Sequence, residues 1–313
     1  MGIKGFIQDS GAVRVGLLAG RLLPLNAGRK LAGWAGGYIA RGDDQPMVRA
    51  VMANQWVASG GALEGEALRK RADEVIRWVA VSLFEYFYYY QHPDQGQDRV
   101  RLAPQMEETV HEIVEEKRGT IILGPHLGNF DLFGMLFARL GTKPCVLSYP
   151  NPNNAYKAQN ELRESSGMTV RPIDFRTYRE AKQLLRSGGC LVTGLDRPVE
   201  GEEQTKYRPK FFGRPADLPV FYVRLALETG ASVRVCAGIP QADQTIRLES
   251  SEAIRFEHFD DPSMEYVLNA EKALREAEKL IRLCPEQWAM LYPVWPEVLP
   301  LITSKPRNHE EVS

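Results

Sequence analysis

The chain has 313 residues, of which 44% are apolar and 25% are charged, a composition typical of an ordinary globular protein. This length is long for a single hydrophobic core but does not compel two domains. The formal net charge of −1 argues against a nucleic-acid-binding protein. The four cysteines are scattered with no C-x-x-C pair, so the sequence predicts neither a zinc site nor a disulfide framework and fits a reducing cytoplasm.

Residues 1–42 differ from the rest of the chain because they carry six basic residues against one acid, Asp9. Leucines and a tryptophan lie between these charges, but no uncharged run approaches the roughly 20 residues that a membrane-spanning helix needs, and no signal peptide is predicted. A basic segment of this kind can lie among lipid headgroups, held by apolar burial and by attraction to anionic lipid. The alternative is a pair of amphipathic helices packed on the domain. We predict a helical membrane-interface segment over residues 1–65.

The sequence predicts a long helix over residues 66–91, because apolar residues recur at the spacing of one helix face. Pro93 ends it. Its last turns, residues 84–90, are rich in aromatic side chains, which suit a membrane interface or the mouth of a lipid tunnel. Core packing is the commoner explanation for such residues. Pro104 then opens a helix that leads to the first predicted strand.

From residue 120 onward, predicted strands and helices alternate, and this alternation gives parallel βαβ units. The sequence therefore predicts an α/β fold with a mostly parallel central sheet flanked by helices. The predicted strands cover residues 120–123, 144–149, 168–173, 190–195, 232–239 and 245–256, the last two as an antiparallel pair at the sheet edge. We assign residues 66–300 to this domain and residues 301–313 to a polar tail.

One stretch, residues 119–134, carries the candidate chemistry. His126 falls in the turn between a strand and the helix that begins after Asn129, and ligands bind at such turns in open α/β sheets. An imidazole is well suited near pH 7 to remove a proton from a hydroxyl. Asp131, in the first helical turn, is placed to fold back and orient the ring, and the amides of Gly128 and Asn129 are placed to face a developing oxyanion.

The alternative is a turn histidine without chemistry, followed by a first-turn acid that the helix dipole favours. Spacing alone does not exclude it. His111 also has an acid five residues later, Glu116, inside an acidic helix where no chemistry is expected.

Residues 125–131, Pro-His-Leu-Gly-Asn-Phe-Asp, resemble the H-x-G-N-W/F-D/E motif of the bacterial lipid A biosynthesis acyltransferase family. This family includes lauroyl and myristoyl transferases and phosphatidylinositol mannoside acyltransferases. Four further blocks resemble the family in the same order, at residues 161–167, 194–197, 211–213 and 286–288. The resemblance spans roughly residues 75–296, and its ordered blocks are more specific than a single motif.

The resemblance implies a fold like that of the glycerolipid acyltransferases and an acyl-transfer reaction. It implies that Asp196 helps to organise the reaction centre, and that Arg163 and Arg197 bind the acceptor's anionic headgroup or support the site. A structural salt bridge is the alternative. Residues 147–150 lack an acid that some family members carry, and the amino-terminal segment is less hydrophobic than the anchor of many lipid A transferases. Both departures favour a phosphatidylinositol-mannoside-like or other anionic glycolipid over lipid A as the acceptor, with a simple lysophospholipid next.

A cationic run follows, in which Lys206, Arg208 and Lys210 alternate with aromatic residues. A solvated charge run is the usual interpretation. Beside a reaction centre, however, these cations suit the phosphates of coenzyme A, the acidic face of acyl carrier protein or a phospholipid headgroup.

Together these patterns predict a peripheral enzyme on the cytoplasmic face of the bacterial cell membrane. It moves a fatty acyl chain from acyl-CoA or acyl carrier protein to a hydroxyl of a membrane glycolipid or phospholipid, and it contacts an anionic membrane surface. No cofactor, metal or nucleic acid is expected, and the sequence motifs of serine hydrolases, nucleotide hydrolases, dehydrogenases and zinc enzymes are absent. Two alternatives stay open: a non-catalytic lipid-binding or membrane-tethering protein, and a thioesterase that uses the same base.

Overall fold

The computed structural model describes residues 10–42, 45–150, 152–199 and 206–303. Residues 1–9 and 304–313, which hold the start of the basic segment and most of the predicted polar tail, lie outside the described residues.

A seven-stranded sheet forms the centre of the fold, with the strand order β1-β9-β8-β2-β5-β3-β4. Neighbouring strands are parallel except β8 and β9, which run antiparallel. The predicted α/β class with a mostly parallel sheet is therefore confirmed. In chain order the strands are β1 (Val100–Leu102), β2 (Thr120–Gly124), β3 (Cys145–Ser148), β4 (Thr169–Pro172), β5 (Cys190–Gly194), the hairpin strands β6 (Lys210–Phe211) and β7 (Arg214–Pro215), β8 (Ser232–Pro240) and β9 (Ile246–Ser250).

The predicted antiparallel pair is present, but it is not the edge of the sheet. β1 pairs in parallel with β9 and covers it. The sequence does not reveal β1, because three residues are too few to establish an alternating pattern. β9 also ends at Ser250, earlier than the predicted strand over 245–256.

Helices cover both faces of the sheet, and several begin at a side-chain cap. Asn129, Asn153 and Asp174 each accept a hydrogen bond from the backbone N–H three residues later, which is worth about 1 kcal/mol and fixes where the helix starts. In chain order the helices are α1 (Ser10–Leu22), α2 (Leu25–Ala40), α3 (Pro46–Ala58), α4 (Gly65–Gln91), α5 (Pro93–Gln97), α6 (Pro104–Val114), α7 (Phe130–Phe137), α8 (Asn154–Ser165), α9 (Phe175–Arg186), α10 (Phe221–Thr229), α11 (Pro262–Leu283) and α12 (Leu299–Thr303).

The hydrophobic core lies on both faces of the central strand β2. Ile121 and Leu123 belong to the cluster that includes α10 and α11, whereas Ile122 belongs to the cluster that includes α6 and α7. All three side chains are fully buried. Each such burial stabilises the fold by about 1.5–3 kcal/mol, so β2 is anchored from both sides. This rigid strand leads directly to His126.

Helix α4 packs against the two amino-terminal helices. A Cβ on Gly20 of α1 would lie 2.8 Å from the backbone carbonyl of Phe87 in α4, so only glycine permits this close approach. The aromatic run at the end of α4 lies mostly in the core, where Tyr86 and Tyr89 are buried. Core packing therefore accounts for most of that run.

The outer side of α1 and α2 carries large apolar side chains that are exposed, and we call it the amino-terminal apolar face. Its members are Val15, Leu18, Leu22, Leu31, Trp34 and Tyr38. Within the described residues, no helix is both long enough and apolar enough to cross a membrane. Membrane association of this face, and the division of the chain between residues 65 and 66, stay predictions.

Candidate active site

The site is assembled by the register between two neighbouring strands. β2 and β5 are parallel, and Gly124, the last residue of β2, pairs with Gly194, the last residue of β5. His126 and Asp196 each follow their strand by two residues. Because parallel strands end at the same edge of the sheet, this register brings the two side chains together.

Asp196 holds the imidazole of His126 in one orientation. Its Oδ1 lies 2.7 Å from His126 Nδ1, and its Oδ2 accepts hydrogen bonds from the His126 backbone N–H at 2.9 Å and from Trp288 Nε1 at 2.8 Å. The Asp196 carboxylate is fully buried, whereas a quarter of the His126 side chain is exposed. A carboxylate on Nδ1 places the proton on that nitrogen, which leaves the lone pair on Nε2 to accept a proton from a substrate.

The ring is also positioned by its neighbours. Phe130 packs edge-to-face against His126, with the ring centroids 5.0 Å apart. The His126 carbonyl accepts a hydrogen bond from Ala289 N at 2.7 Å, which ties the turn to the chain that follows Trp288. Both the N–H and the C=O of His126 are thus hydrogen-bonded, to Asp196 and to Ala289, which fixes the backbone of the turn.

The structure corrects the predicted role of Asp131. Its Oδ1 accepts from Arg163 Nε at 2.9 Å and from Arg163 Nη2 at 2.6 Å, and its Oδ2 accepts from Gln159 Nε2. The first turn of α7 directs this side chain to α8, while Nδ1 of His126 is bonded to Asp196. Asp131 therefore fixes α7 against α8, and Asp196 orients the imidazole.

Arg163 is the buried partner in that pair. Its Nη1 donates to Asn160 Oδ1 at 2.8 Å, so its donors are used within the protein. Burial acts to lower the pKa of Arg163, but the charge of Asp131 opposes it and the net pKa is raised. For Arg163, the salt-bridge alternative and a supporting role therefore fit better than direct contact with a headgroup.

The predicted oxyanion donors also need correction. Gly128 N donates to Gln287 O at 3.1 Å, and Asn129 N lies 3.4 Å from Gly238 O, so both amides point into the protein. Gly128 has φ +62°, and a Cβ there would lie 2.1 Å from Gly238 O, which explains the glycine. The Asn129 side chain caps α7 and donates to Ser82 O of α4 at 2.8 Å. Gly128 and Asn129 therefore stabilise the turn, and their amides are not available to an oxyanion.

Two other backbone N–H groups, at the start of α7, are candidates for the oxyanion donors. Among the described residues, the backbone N–H groups of Phe130 and Asp131 form no hydrogen bond. These are two of the four N–H groups that a helix start leaves without an intrahelical partner. Phe130 and Asp131 follow His126 by four and five residues, and their N–H groups carry the partial positive charge of the helix terminus.

Arg197 follows Asp196 and lies at the surface of the site. Its guanidinium is 4.3 Å from the ring centroid of Tyr292 and 5.3 Å from that of Tyr149. No acidic residue of the described chain forms a salt bridge with it. Both tyrosines are more than 40% exposed. The Arg197 side chain is therefore positioned by two tyrosine rings, and its positive charge, beside the His126–Asp196 pair, is not neutralised by an acidic side chain of the described residues.

The cationic run is next in the chain to an aromatic cluster formed by Phe211, Trp288 and Trp295. Arg208 forms a salt bridge with Asp217 at 2.9 Å, Lys206 lies over the ring of Tyr207, and the exposed Lys210 donates its backbone N–H to Glu271. The neighbouring Phe211 packs edge-to-face against Trp288, the residue that bonds Asp196. The run thus joins the site through packing, and its lysine side chains remain exposed.

Sequence reasoning missed three residues of this arrangement. Trp288 is part of a block that resembles the family, but only the structure shows its hydrogen bond to Asp196. Tyr149 and Tyr292 come from distant segments and meet at Arg197, so no local pattern could have paired them. Within the described residues, no group of three or more His, Cys, Asp or Glu side chains is placed to hold a metal ion.

Comparison with known proteins identifies the family. Residues 66–297, more than half of the chain, match the family model for bacterial lipid A biosynthesis acyltransferases. The chain belongs to this family. The prediction drawn from the motif blocks is thereby confirmed, and acyltransferase is the activity that the family name carries.

The chain is similar in sequence to two phosphatidylinositol mannoside acyltransferases. The protein from Mycobacterium tuberculosis is 33% identical over 121 residues, which cover 37% of each chain. The protein from Mycolicibacterium smegmatis is 25% identical over 250 residues, which cover 74% of this chain and 77% of the relative. The match to the M. tuberculosis protein thus spans little more than a third of that protein.

Proposed function

We propose that this acyltransferase moves a fatty acyl chain from a thioester to a hydroxyl of a membrane glycolipid or phospholipid, with His126 as the general base. The observation that carries the proposal is the 2.7 Å contact between His126 Nδ1 and the buried Asp196 carboxylate. It leaves Nε2 unprotonated and compensates the imidazolium that forms when the ring accepts a proton.

The reaction then follows from this geometry. Nε2 of His126 removes the acceptor's hydroxyl proton as its oxygen attacks the thioester carbonyl, and no covalent enzyme intermediate is needed. The backbone N–H groups of Phe130 and Asp131, at the start of α7, are the donors that we assign to the oxyanion. As the intermediate collapses, the carbon–sulfur bond breaks and the imidazolium returns its proton to the leaving thiolate.

Arg197 is the candidate contact for an anionic headgroup. It is uncompensated, lies beside Asp196 and is held between two tyrosine rings, so little side-chain entropy is lost when it binds a phosphate. The names of the two mycobacterial relatives support an acceptor of the phosphatidylinositol mannoside kind, an anionic glycolipid. We extend that acceptor class to this chain as part of the proposal.

The donor and the membrane complete the proposal. Acyl-CoA and acyl carrier protein are both anionic donors, and the exposed Lys206 and Lys210 suit either. The amino-terminal apolar face suits insertion among lipid headgroups, with the exposed Arg14, Arg21 and Lys30 favouring anionic lipid. We place the enzyme peripherally on the cytoplasmic face of the cell membrane, where both thioesters are made.

The proposal is tested by thiol release from a long-chain acyl thioester, with and without vesicles of bacterial lipid. We expect release that depends on lipid and that falls by about 10²–10⁴ in His126→Ala, the usual loss for a general base. His258→Ala is a matched control, because His258 also pairs with a carboxylate, that of Glu265 at 3.0 Å, but is exposed and far along the chain. Equal release without lipid would instead identify a thioesterase.

A further inference from the structure

Residues 285–294 form an irregular segment that contacts the candidate active site with two side chains. Trp288 donates a hydrogen bond to Asp196, and the ring of Tyr292 packs on the Arg197 guanidinium. The segment begins with a single 3₁₀ turn and continues as irregular backbone. Because irregular backbone lacks the repeating hydrogen bonds of a helix or a sheet, its position depends on the partners that its N–H and C=O groups find elsewhere in the chain.

The middle of the segment is fixed directly to the motif turn. Gln287 O accepts a hydrogen bond from Gly128 N at 3.1 Å, and Ala289 N donates to His126 O at 2.7 Å. These bonds join backbone to backbone, so the position of residues 287–289 follows that of the turn itself.

The last part of the segment is held by one buried side chain, that of Asn54 in α3. Asn54 Nδ2 donates to Met290 O at 3.0 Å and to Tyr292 O at 2.8 Å, and Asn54 Oδ1 accepts from Val294 N at 2.9 Å. Both amide hydrogens and the amide oxygen are therefore used by a single stretch of backbone. Every second residue from 290 to 294 is bonded to the same amide.

Asn54 acts on the site through Tyr292. The Tyr292 side chain is 49% exposed, so packing alone does little to fix its ring. Its backbone carbonyl is bonded to Asn54, and its ring centroid lies 4.3 Å from the Arg197 guanidinium. The orientation of Arg197 thus depends on a residue that does not itself contact the site.

The alternative is that Asn54 only stabilises the fold, because a buried side chain with three hydrogen bonds contributes to stability in any case. Gln55 allows the two roles to be separated. It is the next residue of α3, is equally buried, and donates from Nε2 to Pro285 O at 2.8 Å. That bond precedes the anchored residues 287–289. Loss of either side chain lowers stability, but only loss of Asn54 releases Tyr292.

We propose that Asn54 is a positioning residue for acceptor binding, which holds Tyr292 so that Arg197 is directed to the anionic headgroup. The inference rests on the proposed function and deepens it, because it gives helix α3 a part in recognising the acceptor. Since residues 287–289 are anchored on the motif turn, the effect of Asn54 falls on acceptor binding and leaves the His126–Asp196 pair in place.

The first test observes Tyr292 without any substrate. The full chain is prepared with 3-fluorotyrosine in place of Tyr292, and its resonance is followed by ¹⁹F NMR. We expect Asn54→Ala and the milder Asn54→Ser to shift or broaden this resonance, as Arg197→Met does by removing the cation beside the ring. Gln55→Leu is the matched control and leaves the resonance unchanged.

The second test is a double-mutant cycle in acceptor kinetics. Asn54→Ala raises KM about fivefold for lysophosphatidylinositol, an anionic acceptor, because the charge-assisted contact of Arg197 is misdirected. It leaves kcat, the donor KM and the KM for uncharged monoacylglycerol unchanged. In the Arg197→Ala background Asn54→Ala has no further effect, which is the coupling expected of two residues that act through one contact. Gln55→Leu leaves the KM for both acceptors unchanged.

The outcomes separate this proposal from the proposed function. An unmoved fluorine resonance, an equal rise in KM for both acceptors, or failure of both Asn54 variants to fold overturns the positioning role and makes Asn54 a structural residue. If the resonance moves but Arg197→Ala leaves the KM for lysophosphatidylinositol unchanged, the headgroup contact is wrong. If the wild-type chain transfers no acyl group to any lipid, the proposed function fails, while the fluorine spectra still decide whether Asn54 positions Tyr292.

Discussion

Substitution of Asp196 by asparagine is the sharpest test of how His126 is oriented, because the change keeps the shape of the side chain. Asp196 Oδ2 accepts two N–H donors, from the His126 backbone and from Trp288, while Oδ1 faces His126 Nδ1. The new amide must direct its oxygen to the two N–H donors, since an NH₂ group there would meet two donors. Its NH₂ group then faces Nδ1 of the imidazole.

That orientation reverses the tautomer. Nδ1 becomes the acceptor, the ring proton moves to Nε2, and the nitrogen that should take the hydroxyl proton no longer has a lone pair. A serine protease in which the corresponding aspartate becomes asparagine loses about 10⁴ in rate for this reason. We expect a loss of about 10³–10⁴ in kcat for Asp196→Asn, equivalent to roughly 4–5.5 kcal/mol of transition-state stabilisation.

The assay is the lipid-dependent transfer rate, read beside the ¹⁵N shifts of the His126 ring, which distinguish protonation at Nδ1 from protonation at Nε2. Glu265→Gln, which changes the carboxylate paired with the exposed His258, is the matched control and leaves the rate unchanged. The reasoning is refuted if Asp196→Asn keeps more than about a tenth of the wild-type kcat, or if Nδ1 of His126 stays protonated.

Three further predictions follow from other parts of the structure. Arg197→Ala raises the acceptor KM by roughly tenfold or more while the donor KM stays constant, since a charge-assisted contact to phosphate contributes about 1.5–3 kcal/mol. Arg29→Met destabilises the fold by about 3 kcal/mol near pH 8, measured by urea unfolding, because it leaves the buried Glu85 carboxylate without its cation. Trp34→Ser weakens flotation with anionic vesicles and leaves the melting temperature unchanged, because its ring is 65% exposed.

The Arg29 prediction has a definite pH dependence. Burial raises the pKa of Glu85, and the charge of Arg29 opposes that rise, so the pKa climbs further in Arg29→Met. An acid with a raised pKa in the folded state contributes stability below its unfolded pKa and loses it as pH rises through the folded pKa. The cost of Arg29→Met therefore shrinks as pH falls toward 5. Equal destabilisation by Arg29→Met near pH 8 and near pH 5 would contradict this role of Glu85.

The other two predictions have their own controls. Arg176→Ala removes an arginine that is 87% exposed on α9, and it leaves both KM values as they are. If Arg197→Ala raises the donor KM instead, Arg197 holds the coenzyme or the carrier protein. Binding that Trp34→Ser does not change, or that is equal on neutral and anionic vesicles, would mean that α1 and α2 only pack on the domain.

The sequence was sufficient for the order of strands and helices around the motif, because the elements are short, regular and separated by clear turn residues. It was not sufficient for the order of strands across the sheet. β5 lies beside β2 although β3 and β4 come between them in the chain. The carboxylate nearest in sequence, Asp131, was therefore predicted to orient His126, whereas the register of β2 with β5 supplies Asp196.

The same limit applies to the other corrections. Gly128 is only two residues from His126 in sequence, but the hydrogen bond from its amide to Gln287 depends on a segment about 160 residues later, so local spacing could not show that this amide is occupied. Arg163 was expected at a headgroup, yet it is buried against Asp131 because α7 and α8 pack together. Local pattern thus supplied the candidate residues, and tertiary packing determined what each one contacts.

The central claim is that His126 transfers an acyl chain to a lipid hydroxyl. The most direct measurement incubates the enzyme with an isotope-labelled long-chain acyl thioester and a total bacterial lipid extract, and identifies labelled products by mass spectrometry. We predict one labelled anionic glycolipid ester with the wild-type enzyme and with His258→Ala, and none with His126→Ala. Label that appears only as free fatty acid, or an ester that forms equally with His126→Ala, would contradict the claim.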